Sequence, residues 1–112
     1  MIDGSPAFEY AFEALPPGRV GFHRWRWELW QGAALLACGW RISPGDAERA
    51  LRAAASRRSH ELIGVHPLRP ERARAEGRFD VGGEVRLDCG AVSCVLWPRR
   101  ASAAPAVRSA TG

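Results

Sequence analysis

Between Ala7 and Leu15 the side chains alternate, with Phe8, Tyr10 and Phe12 on one side and Glu9, Ala11 and Glu13 on the other. A period of two is that of a half-buried strand. Pro16-Pro17-Gly18 breaks the pattern, and an aromatic-rich alternation resumes from Val20 to Trp30. Gln31-Gly32 then reads as a two-residue hairpin loop. That loop pairs Leu29 with Ala34, Trp27 with Leu36, Trp25 with Cys38 and His23 with Trp40 on an apolar face, the core side. The opposite face holds Glu28 with Leu35, Arg26 with Ala37, Arg24 with Gly39 and Phe22 with Arg41, and Trp30 lies beside the turn. A one-residue slip would exchange the two sets, exposing the tryptophans and burying the arginines.

The period changes at Ser43-Pro44-Gly45-Asp46. Ser43 suits the cap, Pro44 the first helical position, and Asp46 the closing arm of a capping box at the positive end of the helix dipole. The helix is predicted from Pro44 to about Leu62, stopping at Gly64, with a thin buried stripe of Ala47, Ala50, Leu51, Ala54 and Leu62. Glu48 and Arg52 have the spacing of an i,i+4 ion pair.

Val65 to Glu76, with Pro67 and Pro70 among mixed charges, reads as a connecting loop. Three short strands follow: Arg78 to Val81, Glu84 to Asp88 and Ala91 to Trp97, separated by Gly82-Gly83 and Cys89-Gly90. A turn at Cys89-Gly90 pairs Leu87 with Val92 and Val85 with Cys94 on one apolar face. The expected fold is α+β: a three-stranded antiparallel meander, one amphipathic helix, and a C-terminal three-stranded β unit that extends or faces the first sheet. Residues 1–98 are expected to form one domain and 99–112 a disordered Ala/Pro/Arg tail.

The segment Arg26-Trp27-Glu28-Leu29, Gln31-Gly32, Leu36-Ala37, Ser43, Ala47 and Ala50-Leu51 resembles the repeat of the YegP-like family of small bacterial proteins. In that repeat a Trp-containing strand turns through a polar-Gly pair into a second strand, followed by a Ser-capped, Ala-rich helix. The resemblance spans residues 20–58 and implies an α+β fold of strand-strand-helix units; it implies no activity. No second capped helix is read after Arg78 to Trp97, so a duplicated unit is not expected in the second half.

Composition narrows the function more than it names it. The chain has 112 residues, 46% of them hydrophobic and 25% charged, which excludes collagen-like and wholly disordered classes. The longest uncharged stretch, Leu29 to Trp40, has 12 residues, fewer than the roughly 18 to 20 a spanning helix needs. The first fifteen residues carry Asp3, Glu9 and Glu13 and no basic side chain, unlike a secretory signal or transit peptide. A cytoplasmic protein with no membrane partner is the expectation. All 16 basic residues are arginine, with no lysine or asparagine and 19 alanines, the mark of a GC-rich genome. Of the net charge of +4, Arg99, Arg100 and Arg108 fall in the expected tail, leaving the folded part near +1.

Candidate chemistry is mostly excluded by spacing. His60-Glu61-Leu62-Ile63-Gly64-Val65-His66 lacks the i,i+4 histidines of a zinc-protease helix, because its second histidine lies about 240° round the axis. His60, His66, Cys89 and Cys94 offer the two nitrogens and two sulfurs of structural zinc, but the predicted hairpin points Cys94 into the core and leaves Cys89 on the turn. Cys38, Cys89 and Cys94, odd in number, are expected as reduced thiols without metal. Asp80-Val81-Gly82-Gly83-Glu84 reads as a turn rather than a cation loop. Neither a phosphate loop nor a Gly-x-Ser-x-Gly elbow occurs. No enzyme class, metal or cofactor is expected. The candidate binding face is Phe22, Arg24, Arg26, Trp30 and Arg41, suited to a protein partner or a second copy of the chain. Its arginines and aromatics would alternatively suit a nucleic acid.

Overall fold

The computed structural model describes residues 5–17, 21, 23–67 and 69–99. Six strands, β1 (Ala7–Leu15), β2 (Arg24–Gln31), β3 (Ala34–Arg41), β4 (Arg74–Glu76), β5 (Val85–Asp88) and β6 (Ser93–Pro98), form one sheet in the order β3-β2-β1-β6-β5-β4. The two antiparallel meanders join at its centre, where β1 and β6 pair in parallel, Ala7 opposite Val95 and Phe8 opposite Leu96. The fold is therefore α+β, and the C-terminal unit extends the first sheet rather than facing it.

Helix α1 (Pro44–Leu62) covers one side of this sheet. Its start is as the sequence predicts: Ser43 Oγ accepts from the Asp46 amide at 3.1 Å, and Pro44 occupies the first turn. The Asp46 carboxylate turns instead to Arg49. The expected Glu48–Arg52 pair does not form, because the Arg52 guanidinium donates to the Ala73 carbonyl at 3.2 Å, tying the helix to a 3-10 turn at Pro70–Arg72. The buried stripe also differs near its end. Leu62 is exposed, and Ser56, Ser59 and His60 are buried in its place. Those polar groups are satisfied locally: Ser59 Oγ donates to the Ala55 carbonyl at 2.8 Å and His60 Nδ1 to the Ser56 carbonyl at 2.7 Å.

The core lies between α1 and the sheet and comprises chiefly Phe8, Tyr10, Trp27, Leu29, Leu51, Phe79, Val85, Leu87 and Leu96. Arg78–Val81 is not a strand; the third C-terminal strand is β4, inside the expected loop, and residues 77–84 form turns instead. Phe79 anchors that segment, its ring edge-on to Tyr10 at 4.8 Å, while the Tyr10 hydroxyl donates to the Gly83 carbonyl at 2.6 Å. Among the described residues no helix is long and apolar enough to cross a membrane.

Both hairpin registers differ from expectation, for one reason. The first loop is Gly32-Ala33 and the second Gly90-Ala91, each with glycine in first place at positive φ (61° and 92°). Glycine first with an ordinary φ behind it is the type II′ arrangement, whereas the expected loops placed glycine second. In the first hairpin a bulge follows, so that Trp30 pairs with Leu35 but Leu29 with Ala37. The extra residue turns the rest of β3 over. Cys38 and Trp40, expected in the core, lie on the uncovered side, and Ala37, Gly39 and Arg41 face the helix side. Gly39 leaves room there for the Trp27 ring: a Cβ would stand 3.1 Å from its Nε1, and the ring would have to shift by a few tenths of an ångström. His23, also expected in the core, is exposed.

Candidate functional site

Among the described residues no element covers the side of the sheet away from α1, and the pairing sets the residues of that side in rows. Leu35, Trp30, Glu9 and Trp97 cross four strands side by side. A second row holds Cys38, Glu28 and Ala11, and a third Trp40, Arg26 and Glu13. Charged groups interlock among the rings. Glu28 accepts from Arg26 Nε at 3.0 Å and from the Trp30 indole at 2.8 Å. That bond holds the Arg26 guanidinium still more firmly in its charged form. Arg99, which composition groups with the tail, stacks 3.9 Å above Trp30, pairs with Glu9 and donates to the Gly32 carbonyl at 2.9 Å. Its amide donates to the Tyr10 carbonyl at 2.7 Å. Arg24 lies over Trp40 at 5.6 Å.

Beyond Trp97 the same face continues as opposed charges, Arg74 across from Asp88 and Glu76 across from Arg86, with Arg86 also bonded to Glu84. These residues line a depression of about 420 Å³ next to Trp97. Trp40, Trp97 and Leu35 stand 46%, 48% and 44% exposed. Arg24, Arg26, Arg74, Arg86 and Arg99 thus share the face with Glu9, Glu13, Glu28, Glu76, Glu84 and Asp88. The positive and negative charges nearly cancel, and most of the guanidiniums already have partners.

Of the expected binding face, the structure brings together Arg24, Arg26 and Trp30. Arg41 is on the other side, beside Trp27 and Arg49, because of the bulge. Phe22 lies outside the described residues, as does the chain after Arg99. The expected register already puts Glu28 on this face, whereas Glu9, Trp40, Trp97 and Arg99 are additions from the structure. Glu9, Glu28 and Trp97 are visible in the period-two alternation, whereas Trp40 depends on the bulge and Arg99 on the parallel β1–β6 junction.

A second cluster overturns the expected separation of the C-terminal cysteines. With the turn at Gly90-Ala91, Cys94 pairs with Leu87, so Cys89, two residues further along β5's line, is its diagonal neighbour on the core side. The two thiols act on one another electrostatically. Ser56 and Ser59 of the last turns of α1 face the pair, Ser56 lining the same cavity as Cys89. His60, His66 and Cys89 line one cavity of about 260 Å³. Among the described residues no group of three or more His, Cys, Asp or Glu has a metal-holding arrangement.

No family model matches the chain, nor does any curated protein or solved structure.

Proposed function

We propose that this is a small non-catalytic binding protein of the cytoplasm that self-associates, the open face of one sheet stacking on that of a second copy. The observation that supports the reading is the uncovered face itself, with Trp40, Trp97 and Leu35 exposed among interleaved charges of both signs. Exposed aromatics that lose water on docking carry most interface energy, and paired charges around them set register. A near-neutral face made of both signs complements itself under a two-fold axis, whereas it has no long-range attraction for a polyanion. The strands, from three to nine residues long at about 3.3 Å per residue and about 4.8 Å apart, offer about 600 Å² per copy. Two copies would bury on the order of 1,200 Å², at the lower bound for a specific interface.

Sedimentation velocity over a concentration series tests this. The expected result is a reversible dimer that Trp97→Asp and Trp40→Asp each weaken by roughly 30-fold, the scale of losing a hot spot. A monomer at every concentration overturns it. Duplex DNA binding with a steep salt dependence, flattened by Arg24→Ala with Arg26→Ala, would replace it with a nucleic-acid reading.

A further inference from the structure

The cysteine cluster is built asymmetrically. Cys89 opens onto the 260 Å³ cavity, while Cys94 is 2% exposed and does not line it, so a reagent in the cavity meets one thiol with the other directly behind. We propose that Cys89 and Cys94 are a redox-active dithiol, in which Cys89 exchanges with an anionic small-molecule disulfide admitted to this cavity and Cys94 resolves the adduct. Among the described residues His60, His66 and Arg69 line the cavity and no carboxylate does, which fits a disulfide whose arms carry carboxylates.

The chemistry of each sulfur follows from its neighbours. The hydrogen bond from Cys94 pulls the Cys89 thiol down to about 7, with help from Ser56 and the His60 ring, against burial and Asp88, which push it up. Cys94 moves the other way: it shares its hydrogen with Cys89 and is buried, so it stays protonated. A thiol with a pKa near ambient pH is the best attacking group in exchange, and it becomes the more stable leaving thiolate when the disulfide is reduced again.

In the forward direction the Cys89 thiolate attacks one sulfur of RS–SR. The S–S bond breaks, RS⁻ departs and takes a proton from solvent, the equivalent of the one Cys89 released on ionising. Cys94 then attacks the Cys89 sulfur, the second RS⁻ leaves, and the Cys94 proton goes to it. Two protein thiols and one RSSR become one protein disulfide and two RSH, and two electrons pass from the protein to the small disulfide. Oxidation would close a short cross-strand link over the Gly90-Ala91 turn, beneath the end of α1.

The test uses the full chain with Cys38→Ser to remove the third thiol. It is exposed to oxidised and reduced glutathione in graded ratios, and the products are mapped by mass spectrometry. The expected end state is the Cys89–Cys94 disulfide. With Cys94→Ser, a glutathione adduct should accumulate on Cys89; with Cys89→Ser, Cys94 should react at least about tenfold more slowly. Oxidised glutathione should outpace cystamine, a cationic disulfide, and the alkylation rate of Cys89 should rise with a midpoint near pH 7. A mixed disulfide that persists on Cys89 with Cys94 present, or Cys94 reacting as fast as Cys89, overturns the proposal. If Cys94→Ser does not fold, the disulfide map and alkylation profile of the Cys38→Ser protein decide alone.

Discussion

The two sides of the sheet carry tryptophan almost equally, and they use it in opposite ways. Toward α1, Trp27 is 7% exposed and packs among Phe8, Tyr10, Leu29 and the alanines of the helix. Away from α1, Trp30, Trp40 and Trp97 stand among Arg26, Glu28, Glu9 and Arg99 and meet no second layer among the described residues. What separates them is the neighbour, an apolar helix stripe on one side and ion pairs on the other, rather than the residue type. The covered side holds the fold together. The open side is free of that duty, which makes its aromatics available for contact with another molecule.

Cutting one aromatic from each side should show the largest difference. Trp27→Ala empties a site inside the core and should cost roughly 3 to 5 kcal/mol in denaturant unfolding, while Trp97→Ala should cost well under that range. Equal costs would erase the distinction between the sides.

Ionising the covered side should have the next largest effect. Burial, helped by the nearby Asp80 carboxylate, raises Tyr10 from 10.0 to about 12. The folded state therefore holds the phenol proton more tightly than the unfolded chain. The resulting stability is complete below pH 10 and drains away between pH 10 and about 12, by about 2 to 3 kcal/mol in all. Tyr10 is the chain's one tyrosine, so phenolate absorbance reads it directly. Tyr10→Phe should start less stable for want of the bond to Gly83, and it should lack this alkaline loss.

The smallest effect belongs to the open side. Arg26→Ala breaks a half-exposed pair with Glu28 and should change stability by about 0.5 kcal/mol or less. By the reading above it should nevertheless loosen self-association, measured by sedimentation. A large unfolding penalty would mean that the Arg26–Glu28–Trp30 network is structural.

The sequence is most legible where one short segment decides the outcome. β1 runs from Ala7 to Leu15 and α1 from Pro44 to Leu62 as the alternation and Ser43-Pro44 predict, since each signal sits within the element it defines. Turn positions were read one residue early at both Gly-Ala pairs, because the positive φ that glycine supplies fits either loop place and the choice rests on the twist of the flanking strands. The bulge at Leu29/Trp30 has no local mark at all, and it carries Cys38, Trp40 and Arg41 to the opposite sides from those expected. As a result the open face was legible in Arg24, Arg26 and Trp30 but not in Trp40. The Cys89–Cys94 contact was hidden by the turn position instead: shifting the turn by one residue brings together two thiols that the expected register keeps apart.

The parallel seam between β1 and β6 also sets a timetable for the growing chain. Ala7–Tyr10 must wait for Val95–Pro98 before the sheet's centre closes, so the longest loop in the molecule is bridged last. Each meander and α1 can assemble from neighbours in sequence, but until the C-terminal strand leaves the ribosome one edge of β1 has no partner. During that interval Phe8 and Tyr10 lie on an unfinished sheet, and a newborn chain is most exposed to pairing with another copy.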